Sequence, residues 1–109
     1  MVERNAYLDG LFGSLADPIR RDILRRLMNA QFTVSQIAES YDISLAAVAK
    51  HLNVLEKATL VIKQRRGKEQ VVSISPEALK DASQYLAQYE ALWNYRFDAL
   101  DTVLREEKS

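Results

Sequence analysis

Six cationic side chains, Lys50, Lys57, Lys63, Arg65, Arg66 and Lys68, fall between Lys50 and Gln70, against only Glu56 and Glu69. The chemistry open to such a cluster is electrostatic: ammonium and guanidinium groups meet phosphate oxygens, and neutral side chains among them are left to read what the phosphates enclose. Over that stretch the local excess is four positive charges, while the whole chain has a formal net charge of zero. From Val71 to Ser109 four basic residues face seven acids. A zero total argues against generic polyanion binding, but the distribution gives one surface suited to phosphates and another directed elsewhere.

Other chemistries find few candidates. The chain has no cysteine and one histidine, His51. No serine has a base patterned beside it, so no nucleophilic constellation can be assembled, and Gly67 is far from any phosphate-cradling loop. Asp98, Asp101, Glu106 and Glu107 are hard-cation ligand types, yet without imidazole or thiolate beside them they read as a solvated helix face. Neither a metal nor a cofactor is expected. For His51 two readings stand side by side, a donor to a phosphate or base edge and a half-buried packing residue. Trp93 with Tyr85, Tyr89 and Tyr95 offers a pocket for an unidentified small-molecule effector, against the commoner use of helically spaced aromatics as core or interface.

The cations need elements to hold them. Thr33 with Gln36 three residues on makes a capping box, opening a helix whose inward residues are Val34, Ile37 and Ala38. Tyr41-Asp42-Ile43 breaks that pattern, and Ser44 is a second N-cap, for a helix whose apolar residues Leu45, Val48, Leu52 and Leu55 recur every three or four positions. Its other face carries Ala46, Ala47, Lys50, Asn53 and Lys57, small near the start and cationic further on, as suits a helix entering a DNA major groove. Leu60 to Arg65 and Gln70 to Ser75 alternate as strands around Arg66-Gly67-Lys68, a hairpin that forms a wing. Upstream, Tyr7, Leu8, Leu11, Phe12 and Leu15 mark a first helix. Asp17-Pro18 opens a second, with Ile19, Ile23, Leu24, Leu27 and Met28 as its core face and Arg20, Arg21, Arg25 and Arg26 outside.

Ser75-Pro76-Glu77 starts the last helix, and no breaker follows before about Arg105. Leu79, Leu86, Tyr89, Trp93, Phe97, Leu100 and Leu104 form a heptad-like stripe with more apolar surface than a domain this small can cover. Packing across its own globule is one reading; a homodimer interface shared with the first helix is preferred, since such a stripe left bare on a monomer invites aggregation.

Length and composition bound the whole. At 109 residues, with 48% hydrophobic and 28% charged residues, the chain fits one soluble domain and leaves no room for a second, catalytic one. The opening MVERNAYLDG is neither signal peptide nor anchor, and nothing downstream approaches a membrane span, so a cytoplasmic location is expected. The expected fold class is mainly α with a small β-hairpin wing, a dimeric winged helix-turn-helix. Residues 7–30 hold the N-terminal helices, 33–58 the helix-turn-helix, 60–75 the wing and 76–106 the dimerisation helix.

LADPIRRDILRRL, the TVSQIAESYDIS helix and turn, AAVAKHLNVLEKATLV and the basic hairpin, in that order over Leu11 to Ile74, resemble the ArsR-type winged-helix transcriptional repressors. The terminal YEALWNYRFDALDTVL stretch resembles members of that family without metal sites. The resemblance implies a homodimer on an inverted-repeat operator, with recognition helix Leu45 to Lys57 and wing Lys63 to Gln70. The metal-sensing members' ligands are missing here: no cysteine pair lies in Val34 to Ser40, and no histidine follows His51. Ala58-Thr59-Leu60 stands where the family usually has Ala-Gly-Leu, and a β-branched residue resists the left-handed backbone glycine accepts there. The candidate DNA-binding residues are Ser44, Leu45, Ala46, Ala47, Lys50, His51, Lys63, Arg65, Arg66 and Lys68. The candidate dimer residues are Leu8, Leu11, Phe12, Leu86, Tyr89, Trp93, Phe97, Leu100 and Leu104. A winged-helix module for docking other proteins remains the alternative, because fold alone does not settle function.

Overall fold

The computed structural model describes residues 5–108; in the last helix the side chains of residues 93, 95–100 and 106–108 lie outside the description. The elements run α1 (Ala6–Ser14), α2 (Pro18–Leu27), β1 (Phe32–Thr33), α3 (Val34–Glu39), α4 (Leu45–Lys57), β2 (Val61–Arg66), β3 (Glu69–Ile74) and α5 (Pro76–Lys108). They form two compact units, one ending at Leu79 and one starting at Lys80. The first unit is a winged helix-turn-helix: α3 and α4 with their turn, and a hairpin beyond.

Each short helix begins on a side-chain cap that satisfies amides the helix itself cannot. Asn5 Oδ1 accepts from the Tyr7 and Leu8 amides at 3.1 and 3.3 Å, and Asp17 Oδ2 from Ile19 and Arg20 at 2.8 and 3.0 Å. Thr33 and Gln36 make the expected capping box: the Gln36 amide donates to Thr33 Oγ1 at 3.1 Å and the Thr33 amide to Gln36 Oε1 at 2.8 Å. Ser44 Oγ accepts from the Ala47 amide at 3.1 Å. The end of α1 is closed from outside the helix, by arginines of α2. Arg20 Nε donates to the Ser14 carbonyl at 2.6 Å and Arg21 Nη1 to the Leu15 carbonyl at 2.8 Å, cations placed at the negative end of a helix dipole.

The sheet has strand order β1-β3-β2, all antiparallel. In the hairpin Arg66 faces Glu69, leaving a two-residue turn of Gly67 and Lys68 in which Gly67 alone has a positive φ, +64°. Glycine at the first central position is what a two-residue hairpin turn of this kind requires. Strand β1 has no counterpart among the elements expected from the sequence; it pairs Phe32 with Val72 and Thr33 with Val71.

Leu11, Ile23, Val48, Leu52, Leu55, Leu60 and Val72 are fully buried and form the core of the first unit. Three expectations need correction. Leu11, a candidate dimer residue, has no exposed surface at all, so its side chain belongs to the core and cannot form part of an outer face. Met28, expected on the α2 core face, is 67% exposed because α2 ends at Leu27 and Met28 is already its C-cap. Leu45 has the spacing of the buried α4 stripe yet is 58% exposed, since it is the first residue of that helix.

The end of α4 shows how threonine serves at a glycine position. Ala58 is the C-cap, the Thr59 amide donates to the Glu56 carbonyl at 2.9 Å, and the Leu60 amide to the Leu55 carbonyl at 3.0 Å. This pair of bonds is a Schellman closure, with buried Leu60 and Leu55 as its apolar contact. Thr59 sits at φ +62°, a left-handed backbone that costs a β-branched residue ~1–2 kcal/mol. Thr59→Gly should therefore raise stability by about 1 kcal/mol, equivalent to roughly 4–8 °C in a domain of this size. A thermal melt reads it, and an unchanged or lower midpoint would show that the closure carries no strain.

Candidate nucleic-acid interface

Helix α4 buries Val48, Leu52 and Leu55 and turns Ala46, Lys50, Asn53 and Lys57 outward, all four exposed. Ser44 is exposed at its N-cap position, Leu45 next to it is exposed, and Ala47, counted with the outward residues in the sequence, is half-buried. Packing from α1, α2, α3 and β2 onto α4 leaves that outer side open along its length.

The wing cations do not form one patch. Side chains alternate faces along a strand, so Lys63 and Arg65 share one face of β2 with buried Val61, while Arg66 lies on the other with Ile62 and Gln64. Lys63 is already engaged inside the unit: its Nζ donates to Asn53 Oδ1 and lies 3.6 Å from a Glu56 carboxylate oxygen, and its side chain is only 10% exposed. It ties β2 to α4. Arg65 and Lys68 are exposed, and so is Arg66, which makes only long contacts of 3.5 Å to Gln31 and 3.4 Å to Gln64. Between wing and helix pair lies an open cleft of about 310 Å³, bordered by Val34 and Ser35 of α3, Leu45 and Ala49 of α4, and Lys68 and Gln70 of the hairpin. Ser35 and Ala49 are not among the residues singled out from the sequence, and Gln70 enters there only as the end of the wing; the available signal is that Ala49 stands one helical turn after Leu45.

His51 points toward α2. Its Nδ1 lies 3.4 Å from Arg20 Nη1 and 3.8 Å from Asp17 Oδ2, and the side chain is 20% exposed. The Asp17 carboxyl is held below its ordinary value mainly by the hydrogen bond from the Arg20 amide; burial opposes this, and His51 and the Ile19 amide add to it. The turn between α3 and α4 is fixed in a similar way. Tyr41 donates to Asp22 Oδ2 at 2.5 Å, and Arg26 lies over the rings of Phe32, at 4.9 Å, and Tyr41, at 5.7 Å. Asp22 is shifted down chiefly by the Tyr41 hydroxyl and then by Arg25, which it pairs at 2.6 Å; Tyr41 is shifted up by burial and then by Asp22. The arginines of α2 thus work as helix caps, ion-pair partners and ring covers.

On α5, Leu86, Tyr89, Leu92, Val103 and Leu104 are each about half exposed. Leu8 and Phe12 of α1 are half-buried. The side chains of Trp93, Tyr95, Phe97 and Leu100 lie outside the described residues. The Tyr85 and Tyr89 rings meet tilted at 52° with centroids 5.6 Å apart and hydroxyls 3.2 Å apart, and Asp101 is paired to Arg105 at 2.9 Å. No helix among the described residues is long and apolar enough to cross a membrane.

Residues 15–64 match the family model described as a helix-turn-helix domain. An HTH-type transcriptional regulator of Bacillus subtilis, YuzN, is 39% identical over 85 residues, covering 71% of this chain and 91% of its own. The transcriptional repressor SdpR, also of Bacillus subtilis, is 29% identical over 82 residues, 75% of this chain and 91% of its own. The crystal structure of an ArsR family transcriptional regulator, RHA00566, superposes with a TM-score of 0.74 at 33% identity, covering 81% of this chain and 97% of that one. The chain belongs to the ArsR family of winged helix-turn-helix regulators. It is a DNA-binding transcriptional regulator.

Within this family member Asp17 caps α2 and also faces His51 of α4. Asp17→Ala should cost about 1 kcal/mol at neutral pH, the usual worth of an N-cap, and Asp17→Asn should recover most of it. Because the folded carboxyl is depressed, its ionic contribution is present above the unfolded value of about 3.9 and is lost as pH falls through the lower folded value. The gap between native chain and Asp17→Asn in urea melts should accordingly narrow at pH below that window. A gap that widens there would contradict the assignment.

Proposed function

We propose that this chain is a cytoplasmic homodimeric repressor that binds an inverted-repeat operator, placing the start of α4 in the major groove and the wing against the neighbouring phosphates. The observation that carries the reading is the outer side of α4: Ala46, Lys50, Asn53 and Lys57 exposed in one row, with Arg65, Arg66 and Lys68 exposed on the wing. Small residues at the start of a helix permit close approach to base edges, and the cations further along meet the backbone. The likeness to SdpR supports repression. The homodimer reading is supported by the apolar surface of α5, whose Leu86, Tyr89, Leu92, Val103 and Leu104 remain about half exposed in a single chain. A two-fold pair presents two recognition helices to half-sites about one helical turn, or a small multiple, apart.

Salt titration of duplex binding tests the wing. Arg65→Ala with Arg66→Ala should weaken operator and non-operator duplexes together and lower the slope of log K against log salt by about one for each phosphate no longer neutralised. Lys63→Met should change that slope less than Arg65→Ala does, because Lys63 is held by Asn53 and Glu56. Equal effects would place Lys63 on the DNA. Ala46→Glu, at an exposed position, should leave the melting midpoint near that of the parent and abolish duplex binding.

The dimer has its own test. Leu86→Asp with Leu104→Asp should give a folded monomer by light scattering and remove most specific affinity, whereas an unchanged dimer with normal affinity would move the interface away from α5.

A further inference from the structure

Every leucine of α4 except one is sealed from solvent. Leu52 and Leu55 have no exposed surface, while Leu45, the first residue of the helix, is 58% exposed on the border of the open cleft. Its neighbours do not compete with it for space: Ala46 is exposed and small, Ala49 stands one turn further on, and the short Ser44 side chain folds back to accept from the Ala47 amide, its O–H remaining free to donate. The first turn of this helix therefore presents one large apolar group beside the Ser44 hydroxyl, and no charged or amide side chain until Lys50. In the major groove, base edges display hydrogen-bond donors and acceptors, and a single apolar group, the C5 methyl of thymine. A leucine can distinguish bases there only by touching that methyl.

We propose that Leu45 is a specificity-determining residue that recognises a thymine methyl in each half-site. This rests on the DNA-binding mode above, with α4 in the major groove, and adds what its first residue reads. A guanine or adenine reader at the same place would carry a bidentate side chain such as Arg, Asn or Gln, and the first turn of α4 has none. Lys50 is left to meet a phosphate or a guanine.

The test begins with the full chain selecting duplexes from a randomised library at fixed salt. The best duplex is then resynthesised with its thymines replaced by uracil one at a time, which removes the methyl and nothing else. At one thymine in each half-site the replacement should weaken binding about fourfold, the worth of one buried methyl-sized group, and at the other thymines it should have no effect. Leu45→Ala should bind the thymine and uracil duplexes equally. Leu45→Met, still apolar and long, should remain sensitive to the replacement. Both substitutions fall at an exposed site, and matching melting midpoints will confirm that they fold. If the native chain tolerates uracil everywhere, or Leu45→Ala stays as sensitive as the native chain, the proposal is overturned while DNA binding stands. If the library yields no enriched duplex, the DNA-binding mode itself fails and takes the proposal with it.

Discussion

The burial of one side of α4 is the constraint on which the rest of the first unit depends. Val48, Leu52 and Leu55 are fully shielded from solvent, and α1, α2, α3 and β2 all pack against the helix that carries them. Burying three such side chains contributes on the order of 5–9 kcal/mol, comparable with the entire stability of a small domain. A helix held by that much apolar surface on one side can keep the other side bare. The orientation of Ala46, Lys50, Asn53 and Lys57 is in this sense a by-product of where the leucines go.

The cations of α2 and of the wing divide between contacts inside the unit and solvent. The arginines of α2 are engaged by the unit's own groups: Arg20 and Arg21 close the end of α1, Arg25 pairs with Asp22 at the surface, and Arg26 covers two aromatic rings. Lys63, nearer the core than the rest of the wing, is held by Asn53 and Glu56. Further along the wing, Arg65, Arg66 and Lys68 face solvent, as Lys50 and Lys57 do on the outer side of α4. Exposed ion pairs contribute little to stability, whereas cations on helix-end carbonyls satisfy groups that would otherwise lack partners.

What is legible in the sequence is whatever is decided within a few residues. The caps at Asp17, Thr33 and Ser44, the stripe of α4 and the glycine turn of the wing are local patterns, and all are present. Strand β1 escapes such a reading because two residues have no periodicity of their own, and Phe32 and Thr33 are extended only through partners almost forty positions away. Met28 and Leu45 depart from their stripes because helical spacing says nothing about a helix end, where the covering neighbours stop. Leu11 reads as surface because a stripe on a short helix looks alike whether it meets its own core or another molecule. The Arg25–Asp22 pair, three residues apart, is again local, but the capping roles of Arg20 and Arg21 cannot be read, since their partners are backbone carbonyls that a sequence does not display.

Thr33 belongs to two structures at once. It is the last residue of β1, paired with Val71 of the hairpin, and it is also the N-cap whose hydroxyl and amide close the first turn of α3. No loop separates strand from helix to absorb a displacement. Pulling the hairpin away from β1 would drag the cap off α3 and expose amides that only Thr33 and Gln36 satisfy, so the two events must occur together or not at all. The wing is consequently a fixed arm instead of a hinged one: its amide protons and those of the first turn of α3 should exchange with solvent as one cooperative block.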